Sequence, residues 1–192
     1  MTARTHDLAA LNALAVVVLI NTGSHAITLS TLLISLLANQ IGGIVPDIDQ
    51  PTAPFWRNLP VGGYFGRFID KMLGGHRFLT HSLLGIVLFG FLSDLLLHFL
   101  HPIMRSVDIR IVWISFLVGM VSHLIMDTFT KEGVPWLLPL PIKFGIPPIR
   151  LMRVTTGKSM ERLIFLTLLG IDLWYGASHY NQLVHLFHTR IV

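Results

Sequence analysis

A group of acids and histidines lies beside the ends of the chain's apolar segments, where the side chains could bind a metal ion together. Its members are Asp47, Asp49, His76, His81, His123 and Asp127. Charged and imidazole groups are costly near hydrocarbon, so a group of them gathered at one membrane face indicates a functional site. Nitrogen and oxygen ligands in this mixture suit a divalent metal. The residue types therefore predict a metal site at one end of a helical bundle.

His123 and Asp127 form the first pair of expected ligands. Residues four apart on a helix project from one face, so both side chains could bind the same ion near the end of their segment. For this spacing alone, a hydrogen-bonded pair that finishes a helix is the commoner arrangement. The other candidates along the chain are what favour a metal site.

Two acids, Asp47 and Asp49, follow the second apolar segment. Both carboxylates could bind one ion. Alternatively, one could be a ligand while the other forms hydrogen bonds that orient the ligands. In isolation the two acids would more often be turn formers beside Pro46 and Pro51.

His76, Arg77 and His81 precede the third apolar segment. A lone histidine there would usually be a polar tip at the membrane surface. Two histidines with a guanidinium, opposite two other segment ends that carry acids, favour a site instead.

His6 and Glu161 are weaker candidates. His6 precedes the first apolar segment and could reach the same face, or it could be an exposed terminal histidine. Glu161 could be a ligand, or it could be the ordinary partner of a helix dipole beside a Ser159 N-cap. If both join the site, it has enough ligands for two ions.

The composition places the chain in a bilayer, because 53% of its 192 residues are hydrophobic and only 12% are charged. Five apolar stretches, separated by Pro, Gly and charge, cover residues 8–20, 27–45, 82–100, 111–126 and 163–177. Backbone groups in lipid must be satisfied internally, so these stretches are expected to be helices. We predict a single domain over residues 1–192, an all-α polytopic membrane bundle of about five helices. A second interpretation of the first stretch is a signal peptide cleaved near residues 24–26.

The distribution of basic residues predicts the orientation. If all five stretches cross, eleven of the 14 Lys and Arg residues lie on one side, together with every expected ligand. The positive-inside rule then puts the metal site at the cytoplasmic face of a bacterial-type inner membrane. No basic stripe with interleaved aromatics is present in the sequence, so nucleic acid is not an expected partner.

Two connecting segments are expected to shape access to the site. Residues 54–73 mix aromatic and basic side chains, which suits a segment in the headgroup layer or a plain interfacial loop. Residues 129–153 hold too many prolines for a helix and predict an extended flap. Its cations Arg150 and Arg153, with Lys158, could hold an anionic headgroup or be generic positive-inside charge.

Three motifs together resemble a known family. The runs PDIDQP at 46–51, GHRFLTHS at 75–82, and SHLIMD at 122–127 followed by GVP at 133–135 are similar to the YdjM-like, LexA-regulated type of membrane-bound metal-dependent hydrolases. The resemblance extends from His6 to Glu161, and the chain departs from it at Gln50, where relatives often carry His. That family is in turn placed near zinc-dependent phospholipase C and P1 nuclease. The resemblance implies that the ligands are Asp47 or Asp49, then His81, then His123 and Asp127.

The expected function is hydrolysis of a phosphoester in a lipid or lipid-linked substrate by a metal-activated water. Asp49 is the first candidate for the base that takes the water proton, and Arg77 could add a fixed positive charge. Zinc is the first choice of metal, with manganese or iron as alternatives, and one or two ions could bind. The alternative function is that of a metal-binding transport or structural membrane protein without catalysis. Protein partners cannot be named from the sequence.

Overall fold

The computed structural model describes residues 1–22, 27–75, 77–140 and 142–181, and the chain there is built from helices. The candidate ligand His76 and the cleavage site of the signal-peptide interpretation lie outside the described residues. Within these described residues the α-helices are, in order, α1 Ala3–Thr22, α2 Leu29–Ile44, α3 Pro54–Arg57, α4 Gly62–Met72, α5 Leu83–Leu100, α6 Ile109–Thr128 and α7 Ser159–Ser178. Short 3-10 turns occur at Val45–Asp49, Leu79–His81, His101–Ile103 and Arg150–Met152.

Long helices cover all five apolar stretches, which confirms the all-helical class. Among the described residues, three segments are long and apolar enough to cross a bilayer: Leu29–Asp49, Leu83–Ile103 and Ile109–Thr128. The first and last helices, α1 and α7, have 20 residues each but carry more polar groups. A membrane-embedded helical bundle is therefore shown, whereas a count of five spanning helices stays a prediction.

Side-chain caps fix where several helices begin. Thr28 accepts from the Thr31 amide at the start of α2, and Ser82 accepts from the Gly85 amide at the start of α5. Such caps satisfy amides that the first turn of a helix leaves without a partner. The expected Ser159 cap of α7 is wrong, because α7 begins at Ser159 and the capping position is Lys158, which makes no side-chain bond.

Helices α2 and α6 form the tightest pair of the bundle. A Cβ on Gly42 would lie 2.1 Å from the Phe116 carbonyl oxygen, and one on Gly119 would lie 2.0 Å from the Asn39 carbonyl oxygen. Glycines at such crossings let the two backbones touch, which is how helices associate in a membrane. The close contact holds the C-terminal ends of α2 and α6 side by side.

The ends that carry the candidate ligands meet at one end of the bundle. They are the N-terminal ends of α1, α5 and α7 and the C-terminal ends of α2 and α6, which approach one another through His6, His81, Asp127 and Glu161. At the periphery, α5 exposes apolar side chains such as Phe91 and Phe99 along its length, as expected of a helix that faces lipid.

The segment before α5 has the character of an interfacial helix. In α4, Tyr64, Phe65 and Phe68 are 77%, 59% and 64% exposed, while Gly66 is buried against Trp56. A helix with one strongly apolar exposed face and one packed face suits the boundary between headgroups and acyl chains. The structure is in keeping with the headgroup-layer interpretation of residues 54–73.

The described residues between α6 and α7 form turns, bends and the 3-10 turn Arg150–Met152, so the predicted extended flap is wrong. Two isolated bridges close this segment, and they pair Thr130 with Val154 and Val134 with Phe144. The guanidinium of Arg153 donates to the carbonyls of Pro147 and Pro148, at 2.7 and 3.1 Å. Arg153 therefore stabilises the segment between α6 and α7 through these hydrogen bonds to its backbone. Binding of a headgroup by Arg150 and Arg153 stays a prediction.

Candidate metal centre

Three histidines and two carboxylates converge at the end of the bundle that α2 and α6 hold together. His6 comes from α1, Asp47 and His81 from two 3-10 turns, and His123 and Asp127 from α6. The ligand atoms of His6, His123 and Asp127 all lie within 4.8 Å of one another, and so do those of Asp47, His81 and His123. Four of the five residues are buried, and Asp47 is partly exposed. The structure thus brings together five of the residues that the sequence singled out.

Asp127 lies at the centre of this cluster. Its Oδ1 is 3.3 Å from His6 Nε2, and its Oδ2 is 3.6 Å from His81 Nε2 and 3.9 Å from His123 Nε2. A terminal amine on Met1 also donates to Oδ1, at 2.6 Å, and Arg77 pairs with Oδ2. The buried carboxylate is therefore compensated by positive charge on several sides, as a buried ion requires.

The protonation of His123 follows from one backbone contact. Its Nδ1 lies 2.7 Å from the carbonyl oxygen of Gly43 in α2. A carbonyl can only accept, so Nδ1 carries the proton and Nε2 of the neutral ring presents a lone pair. Backbone carbonyls commonly fix the tautomer of metal-binding histidines in this way.

A chain of two hydrogen bonds, from His81 through Thr80 to Asp49, forms a relay that fixes the tautomer of His81 in the same manner. Thr80 Oγ1 donates to Asp49 Oδ2 in a short hydrogen bond, because a carboxylate accepts only. The hydroxyl oxygen is then free to accept from His81 Nδ1, 3.0 Å away. The proton of His81 lies on Nδ1, and its Nε2 lone pair points toward Asp127.

Lone pairs and carboxylate oxygens therefore face one another inside the cluster. His123 Nε2 lies 3.7 Å from Asp47 Oδ1, and within the described part of the chain this buried nitrogen has no hydrogen-bond partner. Two electron-rich groups held at that distance repel each other unless a cation lies between them. The imidazole and carboxylate donors fit a divalent transition metal such as zinc.

His6 completes the cluster from the first helix. Its ring stacks on that of His123, with centroids 3.7 Å apart and planes within 5°. The side chain is only 2% exposed, so the structure does not place it as a solvated terminal histidine. This stacking brings His6 Nε2 beside Asp127 and into one of the two ligand groups.

Arg77 is held as a fixed cation. Its backbone adopts a left-handed conformation, with φ 60°, and its amide donates to Asp49 Oδ2 at 3.0 Å. Its guanidinium pairs with Asp127 and donates to Thr130 Oγ1 and the Gly133 carbonyl, both at 3.3 Å. Left-handed backbone is costly for a non-glycine residue and is found where surrounding contacts enforce it, often at functional sites.

Asp47 and Asp49 have different positions. Asp49 is fully buried behind His81, where it accepts from Thr80 and Arg77. Asp47 approaches His123 instead and belongs to a ligand group. Of the alternatives that the sequence left open, the geometry favours Asp47 as the ligand and Asp49 as the residue that orients His81.

Glu161 anchors α1 to α7 and lies outside both ligand groups. Its carboxylate accepts from the Thr2 amide at 2.5 Å, the Gly157 amide at 2.5 Å, and the hydroxyls of Thr2 and Thr5 at 2.7 and 2.9 Å. Burial raises the pKa of this carboxyl, but the four donors outweigh that effect and lower the pKa to about 2. Because its oxygens already accept these four hydrogen bonds, Glu161 has a structural role and is not expected to bind a metal.

A cavity of about 330 Å³ opens beside the ligands. His6, Asp47 and His123 form part of its polar wall, and Phe55 and Leu59 form part of its apolar wall. Asp49 does not line this cavity, whereas Asp47 does, with 21% of its side chain exposed. A small amphiphilic group could therefore reach the ligand atoms from this side.

Sequence reasoning gave no role to three groups that position the site: the Thr80 hydroxyl, the Gly43 carbonyl and the Thr130 hydroxyl. A hydroxyl directly before a histidine, as in Thr80-His81, was a signal that could have indicated the relay. The Gly43 carbonyl had no signal, since its role depends on how α2 lies against α6.

Comparison with known proteins gives consistent matches. The sequence model of the YdjM inner membrane protein family matches residues 1–184. The uncharacterized protein YvsG of Bacillus subtilis is 26% identical over 151 residues, which are 79% of this chain and 79% of that protein. The inner membrane protein YdjM of Escherichia coli is 28% identical over 138 residues, which are 70% of this chain and 63% of that protein, less than two thirds of its length. No solved structure matches the chain.

Proposed function

The chain belongs to the YdjM inner membrane protein family, and we propose that it is a metal-dependent hydrolase that cleaves a phosphoester in a lipid or lipid-linked molecule at the cytoplasmic face of the membrane. The membrane location is that of the family. The activity, the metal and the orientation are the proposal.

The observation that carries the proposal is the buried Nε2 of His123, which faces carboxylate oxygens and has no hydrogen-bond partner among the described residues. His123 presents a lone pair 3.7 Å from Asp47 and 3.9 Å from Asp127. Arg77 and the Met1 amine already compensate Asp127, so the pair that repels is the His123 nitrogen with the Asp47 carboxylate, and a cation between these two groups would remove the repulsion. This geometry supports metal binding independently of any sequence motif.

His6, His81, His123, Asp47 and Asp127 are the residues that would hold the metal. A divalent cation supplies Lewis acidity, which lowers the pKa of water toward neutrality and offsets charge that develops on phosphoryl oxygens. Catalytic zinc sites commonly use three protein ligands, so five donors exceed the need of one catalytic ion. The surplus leaves room for a second ion or for a carboxylate that accepts a proton.

Asp47 is the better candidate for the proton acceptor. It lines the cavity and is partly exposed, so it can reach both a water molecule and a substrate. Asp49 is enclosed and already accepts from Thr80 and Arg77. We therefore assign Asp49 to orienting His81 and Arg77. Asp47 has two carboxylate oxygens, so we assign it to the ligand group and also to proton transfer.

Arg77 supports phosphoester chemistry through its position. Its guanidinium is fixed by Asp127, Thr130 and Gly133, so it need not reorganise when negative charge develops beside the metal. A fixed planar fork of donors also matches the geometry of phosphoryl oxygens.

The test is a phosphate-release assay on purified, metal-loaded protein with a panel of phospholipids and isoprenoid phosphates. We expect release by the parent and a loss of at least about a hundredfold in Asp47→Asn, within the range that general base catalysis contributes. His179→Ala is the matched control, because His179 lies at the far end of α7. A parent that retains metal yet hydrolyses no member of the panel would favour the alternative of metal binding without catalysis.

A further inference from the structure

A second cavity lies next to the metal centre. Its volume is about 830 Å³, and it shares Ala3, Asp7 and Pro54 with the cavity that opens onto the ligands. A group bound in the second cavity would therefore lie directly beside the ligand cavity, across the residues that line both. None of the proposed metal ligands lines it.

The walls of this second cavity carry excess positive charge. Arg4 of α1, Arg57 of α3, and Lys158 and Arg162 at the start of α7 all line it. In the part of the chain that the structure describes, none of the four forms a salt bridge. Of the two acids in the walls, Glu161 is already bound by four donors. Four cations from three different elements thus face the same space as two acids, Asp7 and Glu161, so the walls keep a net formal charge of four minus two, or +2.

The remaining wall is apolar and continues along α7. Phe165 and Leu166 lie one turn beyond Arg162, and Leu166 is 61% exposed. The positive end of the α7 dipole adds to the cationic side of the cavity. The cavity therefore has a charged end at the helix start and an apolar side that leads toward the bilayer.

We propose that this second cavity binds the phosphate group of an amphiphilic substrate, whose apolar chain lies along Phe165 and Leu166 of α7. Lysine and arginine clusters of this kind bind anionic headgroups through charge-assisted hydrogen bonds. The phosphate then lies beside the shared wall at Ala3, Asp7 and Pro54, so that its own ester bond can face the ligand cavity and the metal centre. This assignment of substrate class rests on the proposed hydrolase function, but the binding that it requires does not need turnover.

Binding can be measured on detergent-purified protein stripped of metal by a chelator, so that no hydrolysis occurs. The probes are dihexanoyl phosphatidic acid, dihexanoylglycerol with the same chains but no phosphate, and inorganic phosphate. We expect the phosphatidic acid to bind at least about tenfold more tightly than either of the others, since it alone has both the phosphate and the chains.

Two pairs of substitutions locate the site. Lys158→Gln with Arg162→Gln, and separately Arg4→Gln with Arg57→Gln, should each weaken binding of phosphatidic acid about tenfold or more. All four side chains are exposed, so both variants should fold, and melting temperatures check this. Arg105→Gln with Arg110→Gln is the matched control, because these exposed arginines lie at the opposite end of the bundle.

Unchanged affinity in both charge variants would overturn the proposal, and so would equal affinity for dihexanoylglycerol. If inorganic phosphate binds as tightly as the lipid and the variants lose both, the ligand is free phosphate and the lipid assignment is wrong. Hydrolysis by a variant that no longer binds phosphatidic acid would reject this cavity while leaving the metal-dependent hydrolase in place. Failure of the parent to hydrolyse anything would leave the binding result unaffected.

Discussion

The carbonyl oxygen of Gly43 accepts a 2.7 Å hydrogen bond from His123 Nδ1, so the backbone of one membrane-embedded helix sets which nitrogen of a histidine on another carries the proton. The contact depends on the close crossing of α2 and α6. The packing of α2 against α6 therefore fixes the tautomer of a histidine in the candidate metal centre.

The relay from Asp49 through Thr80 to His81 can be broken by one methyl-for-hydroxyl change. Thr80→Val keeps the side-chain shape but removes the hydroxyl that orients His81, so zinc affinity should fall about 10- to 100-fold, as for other residues that orient metal ligands. Thr80→Ser retains the hydroxyl and should bind zinc nearly as the parent does. Competition with a chromophoric chelator measures both. Parent-like affinity in Thr80→Val would show that the relay does not orient His81.

Replacing Arg77 should affect turnover more than metal binding. In Arg77→Lys an ammonium cannot make the bonds that the guanidinium makes to Asp127, Thr130 and Gly133, so hydrolysis should slow by about tenfold or more. Arg77→Gly accommodates the φ of 60° but carries no charge, so it separates the role of the backbone from that of the cation. Turnover and metal content should be measured on the same samples. If Arg77→Lys turns over at the parent rate, the guanidinium has no special role.

A methyl group at the helix crossing should disturb the metal centre from a distance. In Gly119→Ala the new Cβ would lie 2.0 Å from the Asn39 carbonyl oxygen, so α2 and α6 must separate, at a cost of about 1–3 kcal/mol in stability. The Gly43 contact to His123 should weaken with it. Gly170→Ala in α7 is the control, since nothing lies within 4 Å of its added Cβ. Thermal unfolding in detergent, with metal content measured in parallel, tests the coupling; equal melting temperatures for the two variants would contradict it.

The orientation can be tested with single cysteines, because the chain has no native cysteine. Reporter cysteines at Lys71 and Lys143 should be labelled from the cytoplasmic side, and one at Ser106 from the opposite side, as the charge distribution requires. All three positions are exposed. Labelling of Lys71 and Ser106 from the same side would reject the topology.

Residue chemistry and helical spacing predicted much of the candidate site. His123 and Asp127 share a helix face, as their spacing requires, and Asp47, His81 and His6 come to the same end of the bundle. The prediction of their convergence rested on apolar segments that alternate in direction across a bilayer. Whether these residues bind metal stays a prediction.

Other features could not be predicted from the sequence because they depend on local geometry or distant contacts. Asp47 and Asp49 lie in a 3-10 turn, where residues two apart point about 120° away from each other around the axis, so only one faces His123. Nothing in the sequence fixes that turn. Glu161 is bound by Thr2 and Thr5, more than 150 positions away, which no local pattern indicates. Helix α1 also begins at Ala3, before the apolar stretch starts.

The central claim is that His123 binds a divalent metal through Nε2, and metal stoichiometry tests it most directly. Elemental analysis of detergent-purified protein, after dialysis against a trace of zinc, should find at least one ion per parent chain. His123→Ala should lose that ion while His179→Ala keeps it, with both variants folded by circular dichroism. Parent protein without bound metal, or a His123→Ala variant with the same metal content as the parent, would contradict the account.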